Sequence, residues 1–170
     1  WGNATGDATD YSSTHTTGNN VTLSGGTSSK VNISSTEYTA QKAGTANSGG
    51  GSITIKIPAN TTKLYFHMAG WNREGGKSIS VTSNDANVSV YSASFTTVAD
   101  AGISGTSTTY TLSGTISNYS ESITLSNVTK ETTLTFANGG KNERFVIWGA
   151  NVNVGTPATG YISSCCNSLA

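Results

Sequence analysis

The sequence predicts an all-β fold, a two-sheet antiparallel β-sandwich of jelly-roll-like type, and three observations carry that prediction. Apolar residues alternate with polar ones at a period of two along much of the chain. Turn residues separate these runs at the spacing typical of sandwiches and barrels. No segment of useful length shows a helical period, and the Ser, Thr, Asn and Gly that fill much of the sequence weaken helix interiors while suiting turns and the polar face of a sheet.

Taken in order, residues 1–30 form a polar lead-in, with a possible first edge strand near Val21 to Leu23. The sandwich is expected over 31–154. Its alternating sets are Ile53, Ile55 and Ile57; Leu64, Phe66 and Met68; Ile79 and Val81; Val88 and Val90; Tyr110 and Leu112; Ile123 and Leu125; and Leu134 and Phe136. Each set turns one face inward. The dense run Phe145-Val146-Ile147-Trp148 reads instead as a central strand buried on both faces. Turns are expected at Pro58-Ala59-Asn60, at Asn72 to Gly76, at Ser83-Asn84-Asp85 and at Asn138-Gly139-Gly140. Pro58 cannot donate to a ladder, so one strand ends there and the next restarts at Thr62-Lys63-Leu64. Tyr65 and His67 then point away from the core, onto a face that is either solvated or open to a ligand. About eight to ten strands follow from this count, with a jelly roll preferred because the Cys…Trp…Cys spacing of immunoglobulin domains is missing. Residues 155–170 read as an exit linker carrying Cys165 and Cys166.

Composition narrows the function classes. The chain has 170 residues, is 34% hydrophobic and 11% charged, and balances nine basic against nine acidic side chains. One core suits that length, and so neutral a chain has no field with which to gather phosphates, which argues against direct nucleic-acid binding. No apolar run approaches the roughly 18 to 20 residues that span a bilayer, so membrane insertion is not expected. Two adjacent cysteines cannot cross-link the body of the fold, and without partners they cannot supply a four-ligand zinc site. A secreted or cell-surface location fits the Ser/Thr/Asn/Gly usage. Opening on Trp1 rather than Met, the chain is expected to have lost an export signal or an N-terminal module.

Three stretches in fixed order carry a family resemblance: Tyr38-Thr39-Ala40-Gln41-Lys42-Ala43-Gly44-Thr45, then Ser52 to Trp71 with Ile-Pro-Ala-Asn-Thr-Thr-Lys-Leu inside it, then Glu143-Arg144-Phe145-Val146-Ile147-Trp148-Gly149-Ala150. Together they resemble the uncharacterised β-sandwich accessory domains of secreted Bacteroidetes multidomain proteins, found beside extracellular nucleases, glycan-degrading enzymes and Ig-like repeats. The resemblance covers roughly 31–154 and implies a jelly-roll-like accessory module. It carries no functional residue onto this sequence.

The search for chemistry gives few candidates. There is no G-x-S-x-G elbow, H-E-x-x-H, P-loop or G-x-G-x-x-G, and any carboxylate pair drawn from the nine acids would be arbitrary, so the chain is expected not to be an enzyme. No cofactor is implied. A structural calcium has weak candidates in Asp85 and Asp100, weighed against a plain Asx turn at Asn84 and Asp85. Sugar binding needs an aromatic platform with planar polar side chains, because a pyranose presents an apolar C–H face ringed by hydroxyls. Tyr65, His67, Trp71, Asn72, Arg73 and Glu74 offer those types close together at one strand edge and loop, with Trp71 readable either as platform or as hairpin packing. The expected function is therefore a non-catalytic extracellular accessory module that binds carbohydrate weakly. The alternative is a structural spacer or adhesion domain that positions a neighbouring domain of the same polypeptide.

Overall fold

A computed structural model describes residues 14–16, 21–45, 47, 50–91, 93–99 and 102–155. The strands are β1 (Thr14–Thr16), β2 (Thr22–Ser24), β3 (Thr27–Ile33), β4 (Thr36–Ala43), β5 (Gly51–Ile57), β6 (Thr61–Gly70), β7 (Ser78–Ser83), β8 (Ser89–Tyr91), β9 (Ser94–Thr96), β10 (Gly102–Gly105), β11 (Thr109–Leu112), β12 (Ser120–Ser126), β13 (Thr132–Asn138) and β14 (Phe145–Val154). Among the described residues one 3-10 turn, Ile116–Tyr119, precedes β12. No helix among the described residues is long and apolar enough to cross a membrane.

The strands form a six-stranded sheet ordered β1-β2-β5-β13-β7-β9 and an eight-stranded sheet ordered β10-β11-β3-β4-β14-β6-β12-β8. Every pairing is antiparallel except β11 with β3. The inner runs β4-β14-β6-β12 and β5-β13-β7-β9 interleave along the chain as the two sheets of a jelly roll do, so the expected fold class holds. The strand count exceeds the expected eight to ten. The polar lead-in also supplies β1 and β2 to the sandwich, because Val21 and Leu23 are fully buried and Leu23 pairs with Ile55. Two buried apolar residues suffice to add a strand whose other positions are polar.

Between the sheets, Ile55 and Leu134 pair in register, as do Ile53 and Phe136, and Phe136 also pairs with Val81. Facing them, Leu64, Phe66 and Met68 project from β6, with the Phe66 ring edge-on to Phe136 at 5.1 Å and to Phe95 at 5.4 Å. The predicted inward set of β6 is correct.

The reverse face of the eight-stranded sheet has two fates. Register places His67 beside Trp148, Ala69 beside Val146 and Val146 beside Lys42, while Tyr110 and Leu112 stand beside Val31 and Ile33. Apart from half-buried Lys42 these are all buried, so this half of the face is a second core. Tyr110 packs there against the backbone of β10. A Cβ at Gly102 would lie 1.5 Å from its hydroxyl and one at Gly105 2.4 Å from its ring, so only glycine admits the tyrosine. Further along β14, Gly149 (φ 57°) takes up a bulge between Trp148 and Ala150. The extra residue reverses the alternation. Ala150 and Val152 therefore pair with inward Phe66 and Leu64, and Asn151 and Asn153 face outward with Tyr65 and Lys63.

Candidate functional site

The six residues expected to form a sugar platform do not share a surface. His67 is fully buried, its ring stacked on Trp148 at 5.5 Å, with Ser120 Oγ 3.3 Å from its Nδ1. Trp71 is 1% exposed and packs on Tyr110 at 5.3 Å, while the Lys42 ammonium lies 4.4 Å from the indole centroid. Glu74 is clamped by Arg144, which donates from Nη2 (2.7 Å), Nε (2.9 Å) and its backbone N–H (2.9 Å). All three are withdrawn from any ligand, and this corrects the expectation. The cause is the second core: Tyr110 of β11 packs on Trp71, and Tyr119 of the 3-10 turn closes the face beside Trp148.

Asn72 and Arg73 do remain exposed, as turn residues at φ 51° and 64° in the loop that crosses from β6 in one sheet to β7 in the other. Arg73 ties this loop to the second core, since its backbone N–H donates to the Tyr110 hydroxyl and its Nη2 to the Ile103 carbonyl. Burial shapes the titration of this region. It raises the Tyr110 and Tyr119 hydroxyl pKa values and lowers that of Lys42, which the Arg144 charge pushes in the same direction. The hydrogen bonds it donates to Glu74 hold the Arg144 guanidinium more firmly charged.

Asp85 behaves as the plain turn residue. Its Oδ1 accepts the Asn87 backbone N–H at 2.9 Å and its Oδ2 faces Lys130 Nζ at 4.0 Å, so its nearest charge is a cation rather than a second carboxylate. Asp100, Cys165 and Cys166 lie outside the described residues. No group of three His, Cys, Asp or Glu side chains gathers among the described residues.

Of the expected cluster, Tyr65 alone belongs to an open aromatic surface, and its neighbours there were missed. The strands β8-β12-β6-β14 place Tyr91, Thr124, Lys63 and Asn153 in one row across the sheet's outer face, with Ser122, Tyr65 and Asn151 in the row beside it. Tyr91 is 54% exposed. Tyr65 is half-buried, accepts a hydrogen bond from Asn153 Nδ2 at 3.2 Å and has Lys63 Nζ 5.2 Å from its ring centroid. With strands about 4.8 Å apart, the two tyrosines stand on columns about 10 Å apart. The sequence signal for Tyr91 was its phase, opposite to Val88 and Val90. The signal for Asn153 was hidden by the bulge.

Adjoining this face, at the end of the sandwich, is a cleft of about 330 Å³ between the β5–β6 turn, the β12–β13 loop and Gly155. The Tyr91 hydroxyl lies 3.4 Å from Ser126 Oγ on the cleft wall, which joins the two features.

The fold and this surface define the chain as an all-β jelly-roll sandwich with one partly open sheet face bearing tyrosines. No family model matches the sequence, and neither a curated protein nor a solved structure shows significant similarity to it.

Proposed function

We propose that the chain is a non-catalytic accessory module of a secreted or cell-surface protein, and that it binds carbohydrate weakly through the open half of its eight-stranded sheet. The observation that carries this reading is Tyr91, more than half exposed and in one cross-strand row with Thr124, Lys63 and Asn153. A tyrosine face accepts the C–H face of a sugar ring, and the hydroxyls, amide and ammonium around it can bond the ring's hydroxyls. A flat, open platform recovers little surface against the cost of association, so affinity is expected at about 10 µM to 1 mM.

A second reading, a spacer that positions a neighbouring domain, is favoured by the withdrawal of His67, Trp71 and Glu74 from the surface, which makes the β6–β7 loop a rigid clasp rather than a contact surface. Affinity electrophoresis through gels containing neutral polysaccharides separates the two. Retention of the wild type that is lost in Tyr91→Ala, with an unchanged melting temperature, supports the binding reading. Retention unaffected by that substitution moves the binding site off Tyr91, and no retention of the wild type leaves the spacer.

A further inference from the structure

We infer that the cleft beside Tyr91 is a subsite for one uncharged, hydroxyl-rich sugar residue at the end of a chain lying on the sheet face. The inference rests on the carbohydrate-binding reading above and adds a location and a ligand class to it.

The cleft is held in shape by backbone bonds among its three walls. The Asn60 N–H donates to the Val128 carbonyl at 2.7 Å, and the Gly155 N–H donates to the Asn60 carbonyl at 2.8 Å. A pre-formed site loses less entropy when a ligand enters. Its volume of about 330 Å³ sits at the lower end of the range for small-ligand sites, about 300–1,000 Å³, which suits a terminal residue rather than a polymer segment.

The lining selects the chemistry. Leu125 and Val128, both nearly buried, contribute apolar surface, while Asn60, Ser126, Asn127 and Thr129 contribute amides and hydroxyls. Asn60 and Asn127 occupy left-handed turn positions, φ 68° and 62°, and their side-chain amides make no hydrogen bond within the described residues. Apolar surface beside unengaged amides is the complement of a ring with a C–H face and peripheral hydroxyls. Among the described residues no charged side chain lines the cleft, so a carboxylate or sulfate entering it would lose its hydration without a counter-charge from them. The contact between Tyr91 and Ser126 makes a chain stacked on the tyrosine continuous with the cleft.

The test is a backbone amide NMR titration of the intact chain with cellotetraose, xylotetraose, maltotetraose and, as the charged probe, tetragalacturonate. Three variants accompany it: Thr129→Phe, which fills the cleft from an exposed position, Asn127→Asp, which removes its amide donors, and Tyr91→Ala on the platform. A neutral tetrasaccharide should shift the amides of Asn60, Ser126, Asn127 and Thr129. Both cleft variants should weaken that binding about tenfold without changing the melting temperature, and tetragalacturonate should bind about tenfold more weakly than the neutral probe. Should Tyr91→Ala lose binding while the cleft variants bind normally and the cleft amides stay still, the inference falls and the platform reading stands. Cleft variants that lose binding while Tyr91→Ala keeps it would leave the cleft as the site and remove the platform. Equal binding of tetragalacturonate with the same shifts overturns the assignment to uncharged sugars, and no shift with any probe overturns both readings.

Discussion

Glu74 and Arg144, 70 positions apart in the chain, tie the β6–β7 loop to the start of β14 beside Trp71, and their pairing can be isolated by a double-mutant cycle. The Glu74 side chain is 13% exposed and that of Arg144 15%, with three hydrogen bonds of 2.7 to 2.9 Å between the residues. An exposed ion pair is worth about 0–1 kcal/mol, whereas breaking a buried one by removing a single partner costs about 3–5 kcal/mol. The small remaining exposure places Glu74→Ala near the buried limit, at about 2–4 kcal/mol, because it strands the guanidinium donors and the Arg144 backbone N–H together. Arg144→Met leaves Glu74 only that N–H and should cost a similar amount. The double variant removes both charges and should lose less than the sum, giving a coupling of about 1–3 kcal/mol. Urea unfolding followed by tryptophan fluorescence suits the measurement, since Trp71 is buried and its backbone N–H donates to the Arg144 carbonyl at 3.0 Å. The midpoints should fall at unchanged m. A Glu74→Ala cost below about 0.5 kcal/mol, or a coupling near zero, would mean that aromatic packing alone holds the loop and that the pair is incidental.

Two further outcomes follow from the burial pattern. Phe66→Ala deletes a ring in edge contact with both Phe95 and Phe136 and should cost about 3–5 kcal/mol in the same assay, and a loss under about 1 kcal/mol would contradict its inward register. Burial raises the Glu121 carboxyl pKa above the ordinary value, so the folded chain keeps that proton to higher pH than the unfolded one. Stability from this group is complete below the unfolded pKa and is lost as pH rises through the folded one. Glu121→Gln should therefore raise the melting temperature at about pH 7 and leave it nearly unchanged at about pH 3.5, whereas an equal drop at both would refute the assignment.

Period-two alternation sufficed to reveal most of the strands, the inward set Leu64, Phe66 and Met68, the four turns and the burial of Trp148, because these depend on neighbours one to four residues apart. By itself the sequence thus determined the fold class and the inter-sheet core. Whether the opposite phase of a strand meets water or a second layer is set by pairings far along the chain. His67 and Trp71 read as candidate platform residues for that reason: β11 and the 3-10 turn that cover their face follow them by some 40 to 50 positions. One glycine bulge likewise exchanged the faces of Val152 and Asn153, and the salt bridge that removed Glu74 from the surface joins residues with no local signal between them. Only the tertiary structure could place the exposed surface on Tyr91, Tyr65 and Asn153. Local pattern records which residues share a face, but what lies against that face depends on contacts between distant segments.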